Sequence, residues 1–158
     1  MKFKTGIEQS VYILLILGRV PNDYSITSED ISERLKLSSS YTKKLMKLLV
    51  HEGLIKSTTG KKGGFALAKP LSEIDLSNIF NAVEGRGSLF SETDLVTHLI
   101  GEEKSPNKKC SLKIVMDTIE ESWKAVLQKV NLEDLEKKIE QEYDTTNIDE
   151  WISKVTVK

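Results

Sequence analysis

The sequence of 158 residues has one cysteine, two histidines and no long apolar run. Because the single cysteine, Cys110, cannot form an internal disulfide, the chain fits a reducing compartment. The apolar run from Val11 to Leu17 is too short to span a membrane and has no small-residue cleavage site, which argues against a signal peptide. We therefore expect a cytoplasmic protein that does not bind a membrane.

Catalytic motifs are lacking as well. The chain contains no Gly-x-Ser-x-Gly elbow, no nucleotide-binding loop and no His-Glu-x-x-His pair. His98 has no second type of metal ligand at a suitable spacing, and the many carboxylates lie in helical surface runs, where solvation explains them. We predict a binding protein without catalytic residues, metal or cofactor.

The charge is divided unevenly along the chain, although the formal net charge is only −1. Residues 1–70 hold 12 Lys or Arg and 6 Asp or Glu, a net charge of +6, whereas residues 71–158 hold 11 and 18, a net charge of −7. A basic half is typical of a protein that binds a polyanion, and an acidic half is poorly suited to DNA. We expect the two halves to have different roles.

The segment from Ser38 to Pro70 begins with a predicted amphipathic helix that ends near Gly53. Its apolar residues recur at three- and four-residue steps: Tyr41, Leu45, Leu48 and Leu49. Hydroxyl and ammonium groups on the first turns and the other face suit phosphate oxygens and base edges. The predicted DNA contacts of this helix are Ser38, Ser39, Ser40, Tyr41, Thr42, Lys43, Lys44 and Lys47.

A predicted hairpin follows, with strands at Leu54 to Ser57 and Phe65 to Ala68. Its glycine-rich turn supplies the predicted backbone contacts Lys61, Lys62, Gly63 and Gly64. Before the amphipathic helix, the segment from Ser25 to Leu37 predicts a shorter helix capped by Thr27 or Ser28, and both hydroxyls are further candidates for DNA contact. Two helices, a short turn and a basic hairpin indicate a winged helix-turn-helix.

Four runs in the chain carry a family resemblance: Ser38-x-Ser40-Tyr41-x-x-x-Leu45, Gly53-Leu54-Ile55, Gly60-x-x-Gly63-Gly64-Phe65-x-Leu67-Ala68-x-Pro70 and Glu84-Gly85. Over residues 5–135 the chain resembles the Rrf-two (Rrf2) family of bacterial winged-helix transcription regulators. The resemblance implies a mainly α fold with a small β-hairpin, a DNA-binding domain and a long dimerisation helix. Thr59 and Lys43 depart from residues common in the family, so the operator of other members does not transfer.

Past Pro70 the pattern predicts a helix up to Glu84 and then a loop, a brief helix and another loop over residues 85–110. The resemblance places the sensor in this segment. A regular apolar stripe follows over about five turns, and such a stripe needs a partner helix. The resemblance implies that it forms a homodimer interface, with the candidates Leu112, Val115, Met116, Ile119, Trp123, Val126, Leu127 and Val130.

Cys110 stands where iron–sulfur members of the family place the third of three clustered cysteines, but residues 90–109 contain no other cysteine. Because such clusters are usually held by four ligands that are mostly thiolates, we predict that this chain carries no iron–sulfur cluster. Two alternatives remain for Cys110. It is either inert or a possible redox sensor, whose thiolate the helix N-terminus, Lys108 and Lys109 would favour.

The C-terminal segment predicts two more helices. Asn131 is the expected cap of the first, whose apolar face is Leu132, Leu135 and Ile139. The second carries an apolar face that either folds back on the dimer or belongs to a mobile tail: Ile148, Trp151, Ile152 and Val155. The expected divisions are a DNA-binding domain at 1–84, a sensor and linker region at 85–110, and dimerisation and C-terminal helices at 111–158.

The sequence thus predicts a homodimeric transcription regulator, a repressor that binds a palindromic double-stranded DNA operator and responds to a signal near residues 85–110. The signal would be a small-molecule or protein effector. The alternative keeps the winged helix but uses its basic face to bind an acidic protein, without sequence-specific DNA binding.

Overall fold

Eight helices and one hairpin make up the described part of the chain, which in this computed structural model comprises residues 3–60, 63–93, 95–101 and 110–156. The elements in order are α1 (Gly6–Gly18), α2 (Ser28–Arg34), α3 (Ser39–His51), β1 (Ile55–Thr58), β2 (Gly64–Leu67), a 3-10 turn (Leu71–Glu73), α4 (Leu76–Glu84), α5 (Leu95–Ile100), α6 (Ser111–Gln128), α7 (Leu132–Glu142) and α8 (Thr146–Thr156). Among these described residues, no helix is both long and apolar enough to cross a membrane.

Helix α1 lies at the centre of the core. Its residues from Ile13 to Leu17 are all buried, as expected for a helix that is apolar on most of its surface and is covered by neighbours on several sides. Helices α3, α4 and α7 and the strand β2 all contact it. The role of α1 is therefore packing.

Local capping defines the helix-turn-helix. The side chain of Thr27 accepts a hydrogen bond from the Asp30 amide at 3.1 Å, so Thr27 and not Ser28 caps α2. In the turn, Lys36 adopts a left-handed conformation with φ 53°, and the Leu37 amide donates to the Ser32 carbonyl at 2.8 Å. This is the Schellman pattern, which satisfies the last carbonyls of α2 and starts the turn into α3.

The same pattern ends α3. Gly53 has a φ of 72°, its amide donates to the Val50 carbonyl, and the Leu54 amide donates to the Leu49 carbonyl, both at 3.0 Å. Glycine accepts this left-handed conformation without steric cost. The prediction that the helix ends at Gly53 is confirmed.

The hairpin is antiparallel, with Ile55 opposite Leu67 and Thr58 opposite Gly64. Strand β2 has a second neighbour besides β1, because Ile26 and Phe65 exchange backbone hydrogen bonds of 3.1 and 2.8 Å. Ile26 is buried and directly precedes the α2 cap. The base of the hairpin is therefore anchored to the start of the helix-turn-helix.

Helices α7 and α8 pack on the N-terminal half. Asn131 caps α7 as predicted, accepting from the Asp134 amide at 2.9 Å, and Leu132 is fully buried. On α8, Ile152 is only 4% exposed and belongs to the same apolar core. The mobile-tail alternative is therefore wrong for residues 146–156, because α8 folds back on its own chain.

Candidate nucleic-acid interface

One face of α3 is exposed along its length because the opposite face is buried. Leu45, Met46 and Leu49 are at most 1% exposed, which turns the residues between them outward. The residues on the exposed side are Ser38, Ser39, Ser40, Lys43, Lys44 and Lys47. These six predicted contacts lie on one surface and present three hydroxyls and three ammonium groups to a ligand.

Two predicted contacts are buried, and their assignment to the DNA-facing surface is wrong. Thr42 is 0% exposed, and its hydroxyl donates to the Ser38 carbonyl at 3.0 Å. Ser28 is 5% exposed, and its hydroxyl donates to Glu29 at 2.9 Å. Both hydroxyls are thus buried and satisfied by a local hydrogen bond, so they are not available to a ligand on the surface.

Two other predicted contacts have structural partners and are only half-buried. The Thr27 hydroxyl donates to the Asp30 carboxylate at 2.6 Å, in addition to its capping role. Tyr41 packs against the apolar core. Its hydroxyl oxygen lies so close to Gly6 that a Cβ added at Gly6 would be only 2.8 Å from it. Both residues retain some exposure at the edge of the α3 surface, and their DNA contacts stay predictions.

The ammonium groups of this surface are not equivalent. Lys43 Nζ lies 2.5 Å from the Glu29 carboxylate on α2. The hydrogen bond from Lys43 is the main reason that the pKa of Glu29 falls below its ordinary value, and a bond from Ser28 adds to it. Within the described residues, Lys44 and Lys47 have no such carboxylate partner. Their full positive charge is thus available to an anionic ligand.

The wing follows α3 in the chain, and its first strand contacts that helix. Gly64 pairs with Thr58 at the end of the ladder, and the Gly63 amide donates to the Gly60 carbonyl at 2.9 Å inside the turn. Lys61 and Lys62, the predicted backbone contacts at the tip, lie outside the described residues. The described part of the turn confirms the hairpin itself and leaves the contacts of its tip as predictions.

The stripe on α6 divides into two sides. Trp123 packs within the chain, with its ring centroid 4.2 Å from that of Phe80 in an edge-to-face arrangement and 5.7 Å from that of Phe3. Met116, Leu127 and Val130 are also partly covered. The uncovered side of the stripe carries large apolar side chains that are 51 to 62% exposed: Leu112, Val115, Ile119 and Val126.

The loop after α4 makes hydrogen bonds to both α3 and α6, and these contacts were not predicted from the sequence. Arg86 donates to Glu52, the residue that ends α3, at 2.5 Å. The Glu120 carboxylate on α6 accepts from the Ser88 hydroxyl and the Leu89 amide, both at 2.9 Å. Lys124, followed by these two donors, lowers the pKa of Glu120 to about 2. No local pattern could have shown these contacts, since each joins residues more than 30 positions apart.

The geometry is that of a winged helix-turn-helix with an exposed recognition helix, and a family model agrees with it. The Rrf2 model, described as an iron-dependent transcriptional regulator, matches residues 3–138. The chain belongs to the Rrf2 family. It is therefore a DNA-binding transcription regulator and not an enzyme.

Relatives of this Rrf2 chain match it along almost its entire length. YwgB of Bacillus subtilis is 43% identical over 154 residues, which cover 98% of this chain and 96% of YwgB. YffB of Lactococcus lactis is 41% identical over 155 residues, which cover 98% of this chain and 99% of YffB. Both carry the provisional name of HTH-type transcriptional regulator.

Solved structures confirm the fold. CymR, the global cysteine regulator of B. subtilis, superposes with a TM-score of 0.63 at 23% identity, covering 87% of this chain and 98% of CymR. IscR of T. potens superposes with a TM-score of 0.64 at 24% identity, covering 91% of this chain and 92% of IscR. The predicted fold, mainly α with a small hairpin, is therefore correct.

Iron in the family description raises the question of which side chains of this Rrf2 chain would hold it. The sequence has one cysteine, and Cys110 lies half-buried and free at the start of α6. In the described part of the chain, no group of three His, Cys, Asp or Glu side chains lies close enough to hold a metal ion. One thiolate does not fit an iron–sulfur cluster, which is usually held by four ligands that are mostly thiolates. A redox role of Cys110 stays a prediction, and Lys108 and Lys109 lie outside the described residues.

Proposed function

We propose that the protein is a homodimeric repressor that binds a palindromic DNA operator through α3 and the wing. The observation that carries this proposal is the exposed face of α3, which carries Ser40, Lys44 and Lys47 and is followed in the chain by the hairpin. Hydroxyl and ammonium groups on one helix face suit base edges and phosphates of the major groove. The repressor acts by occupying its operator.

The proposed dimer forms through the uncovered side of α6. An apolar stripe over the length of an 18-residue helix is costly to leave in water, and a second copy with the same stripe covers it. Two-fold symmetry then presents two α3 helices to one face of the duplex. Half-sites about one helical turn apart, roughly 34 Å, match such a dimer.

The proposed signal acts on the segment 85–110. Arg86 contacts the end of α3 and Ser88 contacts α6, so a change in this loop reaches both the recognition helix and the proposed dimer helix. A small-molecule or protein effector that moves the loop would alter the placement of α3 relative to the partner copy.

The first test is selection of bound genomic fragments, followed by a salt titration on the selected operator and on random DNA. Duplex binding releases counterions, so the operator complex weakens steeply as salt rises. Lys47→Ala and Lys61→Ala should weaken both DNAs alike and flatten the salt slope by about one unit each. Ser40→Ala should cost roughly 1–3 kcal/mol chiefly on the operator.

Lys138→Ala serves as the matched control, because Lys138 is an exposed lysine of the acidic half on α7. It should leave both affinity and salt slope unchanged. Equal losses for all four variants on operator and random DNA would refute the assignment of α3. Selection that enriches no fragment, with tight binding of an acidic protein instead, would favour the protein-interaction alternative.

A further inference from the structure

A carboxylate lies at the edge of the exposed face of α3, although that face is otherwise basic. Glu29, in the first turn of α2, has a carboxylate oxygen 2.5 Å from Lys43 Nζ, and the two side chains are 59% and 53% exposed. The second carboxylate oxygen accepts a hydrogen bond from the Ser28 hydroxyl at 2.9 Å. Because both oxygens have a protein partner, the carboxylate is held in place at a surface that DNA would cover.

The pair of Glu29 and Lys43 carries no net charge at neutral pH. The hydrogen bond from Lys43, followed by the bond from Ser28, lowers the pKa of Glu29, so this carboxyl is ionised. Lys44 and Lys47, in contrast, have no carboxylate partner within the described residues. The three lysines of one helix face therefore differ, because two attract any anion and the third is already neutralised.

The two kinds of DNA surface suit such a pair to different degrees. A phosphate offers only acceptor oxygens and a negative charge, so it attracts Lys43 and repels Glu29. A base edge in the major groove offers acceptors and, on cytosine and adenine, an amino group that donates to a carboxylate. An ammonium group next to a carboxylate therefore matches a base edge with an amino group better than it matches the backbone.

We propose that Glu29 is a specificity-determining residue: it keeps Lys43 from the phosphates, so that the pair binds a base edge with an exocyclic amino group. This inference rests on the proposed function, because it concerns the same DNA-binding surface. Lys44 and Lys47 supply the attraction that is independent of sequence. The pair of Glu29 and Lys43 supplies discrimination between bases.

The first variant is Glu29→Gln, which keeps the size of the side chain, removes its charge and frees Lys43 to contact a phosphate. Binding to random DNA should tighten about threefold, and its salt slope should steepen by about one unit, as for one added phosphate contact. The preference for the operator over random DNA should fall about tenfold. When each base pair of the operator is exchanged in turn, the lost discrimination should be confined to one base pair of each half-site.

The double variant Glu29→Gln/Lys43→Met separates the charge of the pair from its recognition of a base. It removes one charge of each sign, so affinity and salt slope on random DNA should return to those of the unchanged protein. The operator preference should stay about tenfold lower, because neither partner of the base contact remains. A residue that served only to stabilise α2 would move the melting temperature and not the salt slope.

Glu33→Gln is the matched control, since Glu33 is an exposed carboxylate of the same helix that lines a groove with Trp151 of α8. It should change neither the operator preference nor the salt slope. An unchanged operator preference in Glu29→Gln, or an equal loss on operator and random DNA, would overturn this inference and leave the proposed function standing. Selection that enriches no operator would instead refute the proposed function, and this inference with it. Thermal melting checks that each variant is folded.

Discussion

At position 64 the wing has no room for a side chain, because an added Cβ would lie 2.7 Å from the carbonyl oxygen of Ile26. That oxygen accepts the Phe65 amide that anchors the hairpin, so it cannot move without loss of the bond. At this residue, the close approach of two backbones and not an unusual φ requires glycine.

Gly64→Ala should therefore separate the hairpin from Ile26, destabilise the protein by about 1–3 kcal/mol and weaken DNA binding. Urea unfolding and hydrogen exchange of the Phe65 amide measure the change. Gly87→Ala is the control, since an added Cβ there meets nothing within 4 Å. If the two variants have the same stability and exchange rate, the close contact has no energetic importance.

At the scale of elements, the apolar stripe of α6 has one edge that the chain covers and one edge that it leaves exposed. Trp123 joins α6 to α4 through Phe80, whereas Ile119 is 51% exposed and makes part of the uncovered apolar stripe. The two residues are four positions apart and are therefore neighbours on one face of the helix, and Trp123 lies at the edge of this face that packs on α4. One side therefore stabilises the monomer fold, and the other is left for the proposed partner.

Ile119→Asp should yield a folded monomer that loses tight operator binding, because a charge would enter the proposed dry interface. Trp123→Asp should instead lower the melting temperature, since it places a charge among Phe3 and Phe80. Sedimentation and circular dichroism separate the two effects. Ile114→Asp, at an isoleucine that is equally exposed but lies outside the apolar stripe, should change neither the oligomeric state nor the melting temperature. An unchanged dimer of Ile119→Asp would place the interface elsewhere.

At the scale of the whole molecule, the acidic half is partly built into the basic half. Leu132 of α7 and Ile152 of α8 belong to the same core as α1 and α3, and Arg19, the residue after α1, pairs with carboxylates of both C-terminal helices. The division of charge near Pro70 is therefore not a division of packing. The boundaries 1–84, 85–110 and 111–158 stay predictions, but α7 and α8 pack with the first of these segments.

Ile152→Ala should consequently destabilise the entire fold by roughly 2–5 kcal/mol, not just α8. Unfolding followed by tryptophan fluorescence and by helix content should show one coincident transition at lower denaturant. Ser153→Ala, on the exposed side of the same helix, should stay within about 0.5 kcal/mol of the unchanged protein. Two separate transitions would mean that α8 folds independently.

The sequence by itself determined the elements whose signals are local. Asn131 could be identified as a cap, Gly53 as a helix end and Phe65 as part of a strand, because caps, turns and periodicity involve residues a few positions apart. For α2 the sequence narrowed the cap to Thr27 or Ser28, and the structure shows Thr27. The winged helix-turn-helix and the exposed lysines of α3 follow from such signals. They make up most of the candidate site.

Only the tertiary structure decided which side of each element is covered. Thr42 looked like a surface hydroxyl and is fully buried, and Trp123 looked like an interface residue and packs on Phe80. The contacts from Arg86 to Glu52 and from Arg19 to Asp149 join residues 34 and 130 positions apart. Periodicity shows that a helix has an apolar face but not which neighbour covers it, because that depends on how distant segments pack around one core.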